Sequence, residues 1–139
     1  MLKTALDDIV MPGSAKLLGW RLLDVRPWDG WLKVGFDGKT EFCNPAGFIQ
    51  GGILSAMLDD SMGPAVFVTS EGRFYATTIS LTVNFIAPAR PGPLIAEAQV
   101  IQIGKSIAFM EGKLIADNGT VLATATTTAR LIEAAKALR

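Results

Sequence analysis

Along "YATTISLTVNFIAP", apolar Ile79, Leu81, Val83 and Phe85 alternate with polar Thr78, Ser80, Thr82 and Asn84. A period of two predicts a half-buried strand with the four apolar side chains on one face. Upstream, "WRLLDVRPWDGWLKVGFDG" reads as two strands joined around Asp29–Gly30, a hairpin dipeptide. Downstream, "LIAEAQVIQIG", "SIAFMEGKLIAD" and "TVLATATTTARLIE" predict three more, with turns at Gly104–Lys105 and Asn118–Gly119. "LDDIVMPGSAKLLG" predicts a short helix or turn broken near Pro12–Gly13. Between the second and third strands the period changes. From Gly51 to Phe67, residues Ile53, Leu54, Ala56, Met57, Leu58, Met62, Ala65, Val66 and Phe67 point in every direction around a helical axis. A helix apolar all round is buried on all sides. One flat sheet covers only one side, so the sheet must curl, a second subunit must help, or both. The expected fold is α+β, a long central helix wrapped by about six largely antiparallel strands, in one domain over residues 1–139.

Two carboxylates interrupt that helix, Asp59 and Asp60. An acid in apolar surroundings carries a desolvation penalty that partners or function must offset. The bland reading is an acid at an exposed helix edge; the apolar context favours a functional role for one of the two. Gly51 and Gly52 open the helix, where the first backbone N–H groups lack partners and the dipole favours negative charge. Such a pair also serves as an ordinary tight turn. If functional, it lets a substrate approach the bare amides closely, as an oxyanion hole requires. Gly51 and Asp59 lie eight residues apart, roughly 12 Å along a helix. A base and an oxyanion donor must each come within about 3 Å of the reacting atoms. One helix therefore cannot serve one carbonyl with both. Two helices antiparallel across a two-fold axis can, which predicts at least a dimer.

Composition narrows the chemistry. Lys plus Arg and Asp plus Glu balance at 13 each, so no basic surplus exists to neutralise phosphates, and nucleic acid is a poor partner. The chain has no histidine, which removes Ser-His-Asp and Cys-His catalysis and imidazole metal sites. Cys43 is the single cysteine, so no internal disulfide or cysteine metal cluster is expected. The opening "MLKTALDDIVMPG" lacks the apolar core of a signal peptide, and no apolar run approaches membrane-spanning length, giving a cytoplasmic expectation with no membrane partner.

The run Asn44-x-x-Gly47-x-x-Gln50-Gly51-Gly52, followed by Asp59, resembles hotdog-fold acyl-CoA thioesterases of the PaaI-like, phenylacetate-pathway type. "NFIAPARPG" resembles that family's third strand and its exit, and "GKSIAFMEGKLIADNGTVLATATTT" its closing strands, so the likeness covers about residues 30–130. The resemblance implies the hotdog fold, dimers or dimers of dimers with interfacial sites, and hydrolysis of an acyl-CoA to a carboxylic acid and free coenzyme A. It needs no cofactor, coenzyme A entering with the substrate. It makes Asp59 the carboxylate that activates water or attacks the thioester, and the Gly51 amide the oxyanion donor. Asn44 would orient nucleophile or thioester, and Thr78 would stand near the attacking water. Asn44 before Pro45 is equally a turn former, and Thr78 equally a good strand residue. The second glycine amide, Gly52, would also meet substrate. Arg90, Lys105 and Ser106 could meet coenzyme A phosphates, or be solvated turn residues. Gln50 stands where the family usually has His; it keeps a hydrogen-bonding group but cannot titrate near neutral pH. That departure motivates an alternative, a non-catalytic acyl-CoA binder or sensor. A hotdog hydratase ranks last, since the best-known ones use a His. Phe48, Met57, Met62, Phe67 and Phe85 are candidates for an acyl pocket, or plain core.

Overall fold

The computed structural model describes residues 2–138. Its regular elements are α1 (Gly13–Leu18), β1 (Arg21–Arg26), β2 (Trp31–Gly38), α2 (Gly51–Thr69), β3 (Phe74–Phe85), β4 (Gly92–Ile103), β5 (Ile107–Ala116), β6 (Val121–Glu133) and α3 (Ala134–Ala137). Short 3₁₀ turns occupy Ala5–Asp8, Pro27–Asp29 and Thr40–Phe42. The six strands form one sheet in the order β1-β2-β4-β5-β6-β3, every neighbouring pair antiparallel. The predicted α+β arrangement is the one observed, with the helix inserted between the second and third strands.

The sheet curls around α2, which packs against β2, β3, β4, β5 and β6. Small residues make this close approach possible: Ala96, Ala98, Ala108, Ala123, Ala125 and Ala129 line the inner face, all buried. The helix supplies the bulk, with Met57, Leu58, Met62 and Val66 fully buried against them. Large side chains on one element meeting small ones on the other fill the interior without voids.

Burial of α2 is not complete. Gly52 and Ala56 are exposed, and Asp59 and Gly63 are half-buried. Their spacing puts these four on one stripe of the helix, and the sheet leaves that stripe uncovered. The sequence expectation that all sides would be covered therefore fails most clearly here, where the two exposed residues of α2 lie.

A second difference concerns β3. Thr78 pairs with Ala129 and Ser80 with Thr128, so Ile79 is an extra residue in the ladder, a β-bulge. The bulge resets the alternation. Leu81 and Val83 face inward as expected, but Thr78 now shares their face, and Ile79 is 59% exposed.

Pro64 lies inside α2. Proline has no N–H, so the carbonyl four residues earlier, that of Asp60, loses its helical donor. The indole Nε1–H of Trp20 donates to that carbonyl oxygen at 2.8 Å. A residue 40 positions away in the chain thus completes the helix.

Candidate functional site

The bulge has a chemical consequence. It turns Thr78 toward α2, where its hydroxyl donates to Asp59 Oδ1 at 2.7 Å. This bond fixes one carboxylate oxygen and leaves the other for chemistry, on the uncovered stripe of the helix. Asp60 is placed differently. Its Oδ2 is buried without a hydrogen-bond partner among the described residues. Burial, and secondarily the neighbouring Asp59 charge, pushes the Asp60 carboxyl up from 3.8 to about 6. Of the two adjacent acids, Asp59 is presented and Asp60 is sequestered.

The head of α2 is built by the loop before it. Phe42 and Gln50 are tied by Gln50 N–H donating to the Phe42 carbonyl at 2.9 Å. Inside this loop Asn44 folds as an Asx turn, its Oδ1 accepting from Ala46 N–H at 3.0 Å and Phe48 N–H at 3.2 Å. The turn-forming role of Asn44 is thus observed, with only its NH₂ group left for other contacts. Gln50 is the N-cap of α2. Its Oε1 accepts from Ile53 N–H at 3.2 Å, and its backbone carbonyl accepts from Ile53 and Leu54. Among the described residues, no acceptor meets the Gly51 or Gly52 amide.

Both glycine positions are close to a neighbouring side chain. A Cβ on Gly51 would come within 3.1 Å of the Phe85 ring, and one on Gly52 within 2.7 Å of Gln50 Oε1. Beside the Gly51 amide lies a cavity of about 330 Å³, lined mainly by Asn44, Phe48, Leu54, Phe85 and Ile86. Of the predicted pocket residues, Phe48 and Phe85 line this cavity. Met57, Met62 and Phe67 are buried in the core instead. Leu54 and Ile86 belong to the cavity but carry no sequence signal separating them from other apolar residues.

The structure brings Thr78 to Asp59, and Asn44 and Gln50 to Gly51, but it keeps the two groups apart along the helix. The guanidinium of Arg90 lies 5.1 Å from the Phe48 ring centroid, close to the cavity. Lys105 and Ser106 occupy the exposed β4–β5 turn, at the opposite end of the sheet. A larger depression of about 410 Å³ lies on the outer sheet face between Trp31, Glu97, Glu111 and Thr126. It contains neither Asp59 nor an unpaired helix amide. Among the described residues no helix is long and apolar enough to cross a membrane.

The sequence profile of the thioesterase superfamily matches residues 46–123, more than half of the chain and including Gln50, Gly51, Asp59 and Thr78. The chain belongs to the thioesterase superfamily. A Halobacterium salinarum protein named as an esterase is 30% identical over 102 residues, 71% of this chain and 67% of that one. A Ralstonia eutropha crystal structure, titled a thioesterase and phenylacetic acid degradation-related protein, superposes with a TM-score of 0.85. It is 32% identical and covers 91% of this chain and 95% of its own. A Streptococcus mutans protein solved bound to acetyl CoA shares the fold at a TM-score of 0.71, with 17% identity and coverage of 82% and 89%. The fold is the hotdog fold, and the likeness to phenylacetate-type thioesterases extends from motif to architecture. Superfamily membership carries thioester hydrolysis as the general activity.

Proposed function

We propose that this superfamily member hydrolyses acyl-CoA thioesters, with Asp59 as its reacting carboxylate. The observation that carries the reading is the Thr78–Asp59 hydrogen bond of 2.7 Å on the uncovered stripe of α2. A carboxylate held in one orientation beside a binding surface is what a general base or nucleophile needs. Either Asp59 takes a proton from a water that attacks the thioester carbon, or it attacks that carbon itself and water then cleaves the anhydride. In both routes negative charge gathers on the carbonyl oxygen, the C–S bond breaks, and the thiol of coenzyme A leaves. Backbone N–H of Gly51 stabilises the oxyanion, assisted by the Gly52 amide. The acetyl-CoA-bound neighbour of the same fold supports coenzyme A as the thiol.

Two copies complete the site in this reading. The roughly 12 Å rise from Gly51 to Asp59 requires that one chain's amides serve the other's acid. The surface supports such pairing: β3 is an edge strand bonded only to β6, with Ile79, Phe85 and Ile86 more than half exposed. An unpaired edge with apolar side chains beside an open helix stripe is what a second copy would cover. A two-fold setting the helices antiparallel would also carry Arg90 of one copy toward the Lys105–Ser106 turn of the other. Those three then become candidates for the coenzyme A phosphates.

Thiol release from a panel of acyl-CoAs, followed with a thiol-reactive dye, tests the reading. Asp59→Asn is expected to lower turnover by at least about 100-fold without changing the far-ultraviolet circular dichroism. Tight acyl-CoA binding by the unaltered protein without thiol release would instead assign it as a binder.

A further inference from the structure

We infer that Gln50 is a positioning residue that keeps the head of α2 an uncharged, donor-only cradle for the oxyanion; this rests on the thioesterase reading above. Three observations combine. First, Gln50 Oε1 accepts from the Ile53 N–H at 3.2 Å. This is the longer arm of a bond shared with the Gln50 backbone carbonyl at 2.9 Å, so the oxygen end of the carboxamide is held toward the helix. Second, Gly52 makes room for that fold-back, since a Cβ there would lie 2.7 Å from the same Oε1. Third, Asn44 beside it is locked the same way, its Oδ1 taken by the Ala46 and Phe48 amides.

The consequence is an inventory of what faces a substrate at this end of the helix. Both side-chain oxygens near Gly51 point into the backbone, while the N–H groups of Gly51 and Gly52 and the two NH₂ groups stay unbonded among the described residues. Each of these uncommitted side-chain and helix-head groups is a donor, and none titrates near neutral pH. An ionised side chain here would act on the developing oxyanion directly, because charge near a helix N-terminus is only partly screened. A carboxamide caps Ile53 while leaving the oxyanion field the same at every pH. The absence of histidine from position 50 is then a functional choice of field, and the site's pH dependence is left to the carboxylates.

Substitution at position 50 separates capping from positioning. Gln50→Glu keeps an oxygen for the Ile53 amide and adds a charge the helix dipole favours, so Tm is expected to hold or rise. Its kcat/KM for an acyl-CoA should nevertheless fall at least about tenfold at pH 8. The ratio to the unaltered protein, taken pH by pH, should climb back as the new carboxyl protonates toward about pH 4 to 5. Gln50→Ala, which loses the cap, should lower both Tm and kcat. The inference is overturned if Gln50→Glu matches the unaltered kcat/KM across pH, if its Tm collapses although the cap acceptor is kept, or if Gln50→Ala loses stability with kcat intact. An unaltered protein that releases no thiol from any acyl-CoA overturns the thioesterase reading and this inference together. Activity in the unaltered protein with a failed pH ratio overturns the inference alone.

Discussion

Asp59 and Asp60 are chemically identical neighbours separated by 100° of helix, and that rotation gives them different work. Asp59 meets a hydroxyl; Asp60 meets the interior. In the unfolded chain Asp60 ionises near 3.8, and in the fold near 6. Between those values the folded state holds the extra proton, so stability falls as pH rises from about 4 to about 6 and stays lower above. The loss is on the order of 1 to 2 kcal/mol once discounted for the side chain's partial contact with solvent. Urea titrations at pH 4 and pH 8 check it: Asp60→Asn should flatten the difference while thiol release persists. Persistent activity in Asp59→Asn with loss in Asp60→Asn would move the site to the other acid. The apolar context of the helix singled out one of the two acids, and the resemblance to PaaI-like thioesterases pointed to Asp59; neither showed what would hold it. Thr78 holds Asp59 by its hydroxyl, and strict alternation along β3 would put that residue on the opposite face. A single inserted residue, Ile79, reverses the phase, and nothing in its side chain announces a bulge.

Among the elements, the strands were legible from alternation and the turn dipeptides between them, and α2 from a long apolar run opened by a glycine pair. What the pattern missed in α2 was Pro64, which leaves a backbone carbonyl without its donor in mid-helix. The repair comes from Trp20, in the segment between α1 and β1. A partly buried carbonyl that loses its donor costs about 1 kcal/mol. Trp20→Phe, which keeps most of the ring and removes the N–H, should therefore destabilise the fold by that amount in equilibrium urea unfolding. Because the same helix carries Asp59 one residue before the repaired carbonyl, a modest fall in turnover should accompany it. An unchanged midpoint would mean that water replaces the indole at no cost.

For the whole molecule, the separation of acid from amides along one rigid helix is the deciding dimension. A helix cannot shorten by roughly 12 Å, so in the proposed mechanism a monomer would hold two half-sites. Light scattering coupled to gel filtration should give at least twice the chain mass of 14.8 kDa. Ile79→Arg, at the exposed edge of β3, should shift the protein toward monomer and reduce turnover at least about tenfold, while the circular dichroism of the single chain persists. Turnover that survives in a demonstrated monomer would refute the shared site.

Local order was written in the sequence itself: a period of two in the strands, a long apolar run headed by glycines, a lone pair of acids in apolar surroundings, and no imidazole anywhere. These follow from each residue's own size, polarity and backbone freedom, which need no partner to be read. Tertiary structure alone decided which acid is presented, where Gln50 spends its oxygen, what satisfies the carbonyl above Pro64, and which stripe of α2 stays bare. Each of those is a contact between residues distant in the chain or a change of strand phase, and such contacts exist only after the sheet has closed around the helix.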